Sequence, residues 1–205
     1  MGIQERRERE REARRSAVLD ATRTLVRERG FNGTTTKLIA KECELSEATV
    51  FWYFQSKDEI FVSLLFEASD FMAHGIEKIE AKGLDARDTL RALWNFFSEV
   101  RSEHPEYFHV FSYVAHPQST ASVAEEVKTK IAQRTGDNFR RLSDLFAGRI
   151  GTGQSRILVD LLWSSFFGLM VLRESRENLG AKAHPTSDEL QSALEALLDG
   201  MITEP

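Results

Sequence analysis

Apolar residues recur along this chain at spacings of three and four, the pattern of helices that bury one face. Near the N-terminus the first such stripe consists of Val18, Ala21, Leu25 and Val26. The helix that carries it is predicted to begin near Gln4 and to end before Gly30, because glycine commonly terminates helices. The strict alternation expected of β-strands does not occur along the sequence. The pattern therefore predicts an all-α protein of about nine helices.

Two short helices are predicted after the loop GFNGTTT. Thr35 is placed to cap a helix from Thr36 to about Cys43. After the turn ELS, Ser46 is placed to cap a helix from Glu47 to about Tyr53. Two short helices that are joined by a tight turn and packed on a third form a helix-turn-helix. The expected inward residues are Ile39, Ala40, Leu45, Val50, Phe51 and Phe54. The expected outward residues are Glu47, Ala48, Thr49 and Trp52.

The remaining chain continues in the same helical style. Ser56 and Glu59 have the spacing of a capping box that opens a long helix from about Lys57 to Ala81. The later helices are predicted over about 85–102, between Pro105 and Pro117, over about 119–149 and 154–178, and in the segment before residue 202. The segment GTGQS is expected to break the chain between two of them.

Composition limits the setting of the protein. Hydrophobic residues make up 41% of the 205 residues and charged residues 29%, as in ordinary globular proteins. The single cysteine excludes a disulfide framework within the chain and is typical of a reducing compartment. The charged N-terminal segment does not resemble a secretory signal, and the apolar run 158–172 is short for a bilayer span. We therefore expect a cytoplasmic protein that does not enter a membrane.

Charge is distributed unevenly along the sequence. The net charge is −5, which argues weakly against a nucleic-acid partner. The first 60 residues, however, hold 12 Lys and Arg against 11 Asp and Glu, so the acidity lies in the later part. In the first helix, Arg6, Arg7 and Arg9 either belong to a solvated helix with ion pairs or reach a phosphate backbone.

The segment RERGFNGTTTKLIAKECELSEATVFWYFQSKDEIFVSLL resembles the DNA-binding domain of the TetR family of transcriptional regulators. The resemblance covers roughly residues 12–65 and rests on the order of its parts: a Gly-aromatic loop, two threonines, Ile-Ala, Leu-Ser, Thr-Val, Tyr-Phe and Ser-Lys. It implies a DNA-binding domain over 1–56 and a helical ligand-binding and dimerisation domain over 57–205. It also implies a homodimer that binds a palindromic operator and a small-molecule effector.

The resemblance carries roles for particular residues. Thr36 and Lys37 are expected to meet phosphates, as are the Tyr53 hydroxyl and Lys57 at the start of its helix. The residues expected at or near the major groove are Ser46, Glu47, Ala48, Thr49 and Trp52. The sequence departs from the family pattern at Glu44, where a turn glycine is usual, at Glu47 and at Trp52. A Glu47 carboxylate is repelled by phosphate but can accept a hydrogen bond from a cytosine amine.

Aromatic residues concentrate in the second part of the chain, where they either form plain core or line a ligand cavity. The candidate cavity residues are Trp94, Phe97, Phe108, Phe111, Trp163, Phe167 and Met170. Such a cavity suits a hydrophobic or amphipathic ligand. The helices over 154–178 and before residue 202 have apolar sides that suit a four-helix dimer interface, although intrachain core explains them too.

Catalytic and metal-binding patterns were also sought. His104, His109 and His116 do not share a helix face, so no metal site is expected. No nucleophile elbow, zinc motif or dinucleotide fingerprint occurs, and we expect no cofactor, no catalytic residues and no enzyme. Cys43, at the end of an apolar helix face, is expected to be a packing residue. The sequence favours a ligand-responsive DNA-binding regulator that acts as a repressor. The alternative is a helical small-molecule-binding protein without specific DNA binding.

Overall fold

The computed structural model describes residues 2–115, 117–181 and 186–202 of the chain. Within these residues the backbone forms nine α-helices, one short 3-10 helix at Pro117–Thr120 and no β-strand. The helices are α1 (Ile3–Gly33), α2 (Thr36–Glu42), α3 (Glu47–Tyr53), α4 (Lys57–Glu80), α5 (Ala86–Glu103), α6 (Pro105–Val114), α7 (Glu125–Ile150), α8 (Thr152–Asn178) and α9 (Ser187–Met201). The predicted all-α class is confirmed.

The chain forms two compact units. The first unit comprises Met1–Ala68 and His104–Gln133, and the second comprises Ser69–Glu103 and Arg134–Pro205. The long helices α4 and α7 each supply residues to both units. The boundary predicted after residue 56 divides a DNA-binding domain from a ligand-binding domain, and it does not coincide with the limits of these units. It stays a prediction.

The core of the first unit contains two clusters of buried side chains. The cluster beneath α2 and α3 consists of Val18, Ala21, Leu25, Ile39, Ala40, Val50, Phe54 and Ile60. Since each fully buried side chain of this size contributes roughly 1.5–3 kcal/mol, the cluster fixes the two short helices firmly on α1. The neighbouring cluster consists of Val62, Leu64, Leu65, Val110, Val123 and Ile131.

Ion pairs add to this packing along α1. The Arg23 guanidinium lies 2.6 Å from the Glu67 carboxylate of α4. Further along α1, Arg27 Nε lies 3.6 Å from Glu106 of α6, whose side chain is completely buried. A buried carboxylate is stable only with charged or hydrogen-bonding neighbours, so Arg27 helps to fix α6 against α1.

The second unit is built around rings from α5 and α8. The Phe166 ring lies 5.2 Å from Trp94 and 5.5 Å from Phe97, measured between ring centres. Trp94 also donates a hydrogen bond of 2.9 Å to Ser187 at the start of α9, so its indole N–H is satisfied despite burial. Helix α8 is long and apolar enough to cross a membrane by length and composition. The side of α8 that carries Leu158, Leu162 and Phe166, however, is buried.

Helix boundaries agree with the sequence predictions where the signals are local. Gly30 has a φ of 67° and interrupts α1 where a terminating glycine was predicted. Helix α7, by contrast, was predicted from about Ser119 but begins at Glu125. The short 3-10 helix Pro117–Thr120 occupies the predicted start, and the Ser122 hydroxyl donates to Asp58 of α4 over 2.6 Å.

Candidate nucleic-acid interface

The turn between α2 and α3 is fixed by backbone hydrogen bonds. The Leu45 N–H donates to the Ala40 carbonyl over 2.8 Å, and the Glu44 N–H donates to the Lys41 carbonyl over 3.2 Å. This pair of bonds is the Schellman motif, which needs a left-handed residue after the helix. Glu44 occupies that position with a φ of 54°. Glycine, which is usual at this position in the family pattern, adopts this conformation without the steric cost of a Cβ.

Helix α3 is capped at its start and anchored on one side. The Thr49 N–H donates to the Ser46 hydroxyl over 3.0 Å, as the sequence predicted for an N-cap. Val50 is completely buried and Phe54 is 1% exposed. Ser46 and Ala48 are exposed, and Thr49 is half-buried beside the Ser46 hydroxyl. The first turn of α3 therefore presents small polar side chains to solvent, a shape that fits a major groove.

Glu47 lies in this exposed turn and has a partner within the protein. The Thr36 hydroxyl, at the start of α2, donates to the Glu47 carboxylate over 3.1 Å. The carboxylate is also in the first turn of α3, where the helix dipole favours a negative charge. Glu47 thus links α2 to α3 and holds one of the hydroxyls that the family resemblance assigns to phosphate. Lys37, one residue further along α2, is exposed.

The C-terminal end of α3 carries exposed aromatic rings. Trp52 is 69% exposed and Phe51 is 46% exposed, so the prediction that Phe51 packs inward is wrong. Val50 and Phe54 are one helical turn apart and face the core, which turns Phe51 away from it. Tyr53 is half-buried, and its ring meets that of Trp52 edge-on with 4.8 Å between centres.

Lys57 begins α4, as predicted, but its ammonium group has contacts within the protein. Its Nζ lies 3.4 Å from the Phe31 carbonyl and 5.0 Å from the centre of the Phe61 ring. The Ser56 hydroxyl accepts from the Glu59 N–H over 3.0 Å, which confirms the predicted cap. The Glu59 carboxylate accepts in return from Gln55 rather than from Ser56. Lys57 is half-buried, so only part of it faces solvent.

A recess beside α3 contains residues that the sequence did not single out. It has a volume of about 400 Å³. Its lining consists of Arg7, Glu8, Glu10, Arg11, Arg14, Trp52 and Tyr53. Of the three arginines considered from sequence, only Arg7 lies in it, because Arg6 pairs with Glu10 and Arg9 donates to the Glu5 carbonyl.

The candidate ligand residues fall into both units. Phe108 and Phe111 belong to the first unit, where Phe111 packs against the second of its core clusters. Phe97 and Trp94 are fully buried in the second unit. The remaining candidates there are Trp163, Phe167 and Met170. Rings of Phe97 and Trp163 meet edge-on at 5.6 Å.

A cleft of about 540 Å³ lies in the second unit between α4 and α5. The seven candidate ligand residues do not line it. Its apolar floor includes Phe71, Gly75, Ile79 and Phe96, and its rim carries Lys78 and Lys82 among other charged residues. The Phe71 and Phe96 rings stack in parallel with 6.1 Å between centres. The ligand-binding residues assigned from sequence stay a prediction. The cleft between α4 and α5 is a second candidate site for a ligand.

Cys43 packs as the sequence predicted. It is partly buried against the cluster beneath α2 and α3, and burial raises the pKa of its thiol. Its Sγ donates to the Ile39 carbonyl over 3.0 Å. A thiol held in this way is less ionised and less reactive than a free one. In the part of the chain that the structure describes, no three metal-ligating side chains come together; His116 lies outside it.

Comparison with known proteins identifies the relationship. The model of bacterial regulatory proteins of the tetR family matches residues 18–64, which span the buried part of α1, both short helices and the start of α4. This segment of the chain is therefore similar to the bacterial regulatory proteins of the tetR family. The match to the helix-turn-helix segment confirms the resemblance seen in the sequence.

Several known proteins are similar to parts of this chain. The transcriptional repressor KstR2 of Rhodococcus jostii is 35% identical over 80 residues, which are 39% of each protein. The regulator YvkB of Bacillus subtilis is 27% identical over 156 residues, covering 76% of this chain and 80% of YvkB. The matched segments span only 31% and 39% of the first two curated relatives.

The similarity of fold extends over the whole chain. The regulator FadR of Bacillus subtilis, solved in complex with stearoyl-CoA, superposes with a TM-score of 0.59 at 18% identity. The superposition covers 92% of this chain and 99% of FadR. At this identity the likeness concerns the fold, an N-terminal helix-turn-helix followed by a helical domain.

Proposed function

We propose that this chain is a homodimeric, ligand-responsive repressor that binds a palindromic operator in the cytoplasm. The observation that carries the proposal is the exposed first turn of α3, held by a side-chain cap and by Val50 and Phe54 beneath it. A short helix whose small polar residues face solvent while its other side is fixed can enter a major groove without rearrangement.

The DNA contacts follow from the placement of the predicted residues. Ser46, Glu47, Ala48, Thr49 and Trp52 would read or cover base edges and sugars. Thr36, Lys37, Tyr53 and Lys57 would bind phosphates, which position the protein without reading sequence. Lys57 would exchange its contact with the Phe31 carbonyl for a stronger charge-assisted contact with phosphate.

The dimer is proposed from the exposed side of α8. Ile157, Leu161, Ser164, Gly168 and Val171 follow the alternating spacing of four and three that brings residues onto one seam. Ile157 and Val171 are 55% and 45% exposed. Small residues between the apolar ones allow close approach of a second helix. The same face of a second copy is the simplest cover, because a two-fold dimer joins identical patches.

The effector is proposed to be hydrophobic or amphipathic. FadR, with which the fold is shared, was solved with stearoyl-CoA, a molecule of that type. Within the second unit of this chain, the predicted lining consists of the rings of Trp94, Phe97, Trp163 and Phe167 together with Met170. Effector binding would alter the spacing of the two recognition helices and lower affinity for an operator whose half-sites must be met together. We propose no catalytic role.

The decisive experiment is selection of DNA. Duplexes with a random centre are bound to the wild-type protein at 0.15 M salt, recovered, and sequenced. We expect enrichment of an inverted repeat and a stoichiometry of two chains per site. A protein that enriches no sequence, but still binds small amphipathic molecules, would instead be a helical ligand-binding protein without specific DNA binding.

Two substitutions test the assignment of phosphate contacts. Tyr53→Phe and Lys57→Ala should weaken binding to every selected sequence alike. Lys57→Ala should also reduce the slope of log K against log salt by about 0.9, whereas Tyr53→Phe, which removes no charge, should leave the slope unchanged. Lys128→Ala, which removes a charge on α7 that is paired with Glu125, is the control and should leave the slope unchanged. A change in base preference with affinity retained would contradict the assignment.

Glu47 has its own test, since it is an acid on a surface proposed for an anion. Glu47→Ala should change the preference at one base pair of each half-site if the carboxylate reads a base. Thr36→Val removes the hydroxyl that donates to Glu47 and serves as the comparison. Equal weakening on all operator variants by both changes would show that Glu47 only links α2 to α3.

The dimer seam is tested by a charge within it. Leu161→Glu should convert the protein to monomers in sedimentation experiments and lower operator affinity steeply, since each monomer then meets one half-site. Arg156→Glu, at an exposed position off the seam, should leave the dimer intact. Monomers in the wild-type protein at micromolar concentration would refute the seam.

A further inference from the structure

Helix α1 continues beyond the core that it helps to build. The residues on its inward side recur at alternating spacings of three and four: Arg7, Arg11, Arg14, Val18, Ala21 and Leu25. The last three are buried beneath α2 and α3. The first three occupy the same face of the helix nearer its N-terminus, over a length of about 10 Å at 1.5 Å per residue, and all are exposed. Arginine replaces apolar residues where the helix has passed its own core.

This arginine face lies beside the recognition helix. Arg7, Arg11 and Arg14 line the recess of about 400 Å³ together with Trp52 and Tyr53. The Arg11 guanidinium carbon is 5.8 Å from the centre of the Trp52 ring, within the range of a cation–π contact. Arg15, one residue beyond, packs its guanidinium over Phe54 at 4.2 Å and donates to the Tyr53 carbonyl. The placement of α1 relative to α3 is thus fixed by contacts.

The charges of the recess are not neutralised within the protein. Arg7, Arg11 and Arg14 form no ion pair with any residue that the structure describes. Of the two acids in the lining, Glu10 lies 3.4 Å from Arg6 on another side of the helix. The three solvent-facing arginines outnumber the two acids of the lining, Glu8 and Glu10. They are suited to an external polyanion, because the guanidinium group binds phosphate oxygens in pairs.

We infer that Arg7, Arg11 and Arg14 form a second phosphate-binding face, which holds the DNA backbone next to the site entered by α3. The inference rests on the proposed DNA-binding function and adds contacts outside the helix-turn-helix. The face is about 10 Å long, and nucleotides of one strand advance 3.4 Å along the duplex axis. It therefore covers about three nucleotides beside each half-site, and Trp52 holds Arg11 in place between this face and the groove.

A matched pair of double variants tests the inference. Arg7→Gln with Arg11→Gln removes two charges from the recess, whereas Arg6→Gln with Arg9→Gln removes two charges from the other sides of the same turns. Glutamine retains helix propensity, and circular dichroism checks that both variants keep the wild-type helix content. Binding is measured by fluorescence anisotropy between 0.05 and 0.4 M salt, on a selected operator and on a duplex of unrelated sequence.

The recess variant should lose about 1.8 from the slope of log K against log salt, at 0.9 for each phosphate contact. At 0.1 M salt this corresponds to an increase in Kd of about 60-fold on both duplexes, because phosphates carry no sequence information. The control variant should change the slope by less than about 0.5. Shortening the operator flanks by four base pairs should weaken wild-type binding and leave the recess variant unaffected.

Two results would overturn the inference while leaving DNA binding in place. One is an unchanged salt slope in the recess variant. The other is an equal loss of slope in both double variants, which would mean that the arginines act only through net charge and not through their position. If the wild-type protein selects no DNA sequence, the proposed function itself fails, and the recess fails with it. The three outcomes are distinguished by the wild-type and control titrations.

Discussion

Replacing Glu44 by glycine should stabilise the protein, because Glu44 holds a left-handed backbone conformation at the end of α2. For a residue with a Cβ that conformation costs roughly 1–2 kcal/mol. Glycine avoids this cost but gains more freedom in the unfolded chain, which offsets about 0.4–1 kcal/mol. Removing a negative charge from the C-terminal end of a helix returns about 0.3 kcal/mol. The expected net gain is about 1 kcal/mol.

The gain is measured as a shift in thermal or urea unfolding at one fixed protein concentration. For a chain of this size 1 kcal/mol corresponds to about 2–4 °C in Tm. Glu44→Ala removes the charge but keeps a Cβ in the left-handed region, so it should recover only the small electrostatic part. Glu44→Asn should fall between alanine and glycine, because asparagine tolerates this conformation.

A second glycine variant two residues earlier provides a control of opposite sign. Glu42 is the last residue of α2 and has ordinary helical backbone, so Glu42→Gly should destabilise by roughly 0.5–1 kcal/mol. If Glu44→Gly melts no higher than Glu44→Ala, the backbone of Glu44 is not strained and the reasoning is refuted. If both glycine variants melt lower than wild type, the motif does not favour glycine after α2.

Two further substitutions concern the second unit. Gly75→Ala should destabilise by roughly 1–3 kcal/mol in urea unfolding, because a Cβ at position 75 would lie 2.0 Å from the Phe96 ring; Gly148→Ala, in open space on α7, should instead stabilise by up to about 1 kcal/mol. Glu195→Gln should lower stability at pH 7, and its difference from wild type should disappear as the pH falls below 4.5, because hydrogen bonds from Arg91 hold the pKa of Glu195 below that ordinary value.

The outcomes that contradict these two expectations are simple to recognise. Equal gains for the two alanine variants would mean that the Phe96 ring moves aside at no cost. A Glu195→Gln effect that persists unchanged at pH 3 would mean that the carboxylate contributes through packing rather than through its ion pair with Arg91. Both measurements use the same chemical unfolding assay.

Much of the helix-turn-helix segment could be predicted from sequence because its signals are local. The caps Thr35, Ser46 and Ser56 act on amides three residues away, so spacing alone identifies them. The unusual backbone at Glu44 follows from its position after a short helix. Even the outward face of α3 follows from helical geometry once Val50 and Phe54 are assigned to the core.

The features that were missed depend on contacts between distant segments. Phe51 is as apolar as Phe54, and only the placement of α3 on its core leaves one of them exposed. The hydrogen bond from Thr36 to Glu47 joins residues that sequence analysis treated as separate DNA contacts. Arg11 and Arg14 are recognised as candidate contacts only from the position of α1 beside Trp52. Their place on the same helix face as the apolar residues of α1, by contrast, can be read from the sequence.

The exposed start of α1 separates thermal stability from affinity for DNA, two properties that are usually selected together. Residues 4–14 contribute no buried side chain, so changes among them that preserve the helix should alter the melting temperature of the protein little. If the arginine face binds DNA, the strength of repression can drift over orders of magnitude through this segment without passing through an unstable intermediate. A thermal-shift screen would be blind to such variants, and a reporter assay would rank them clearly. Regulators with the same core could thus be tuned to promoters of very different strength by the first three turns of one helix.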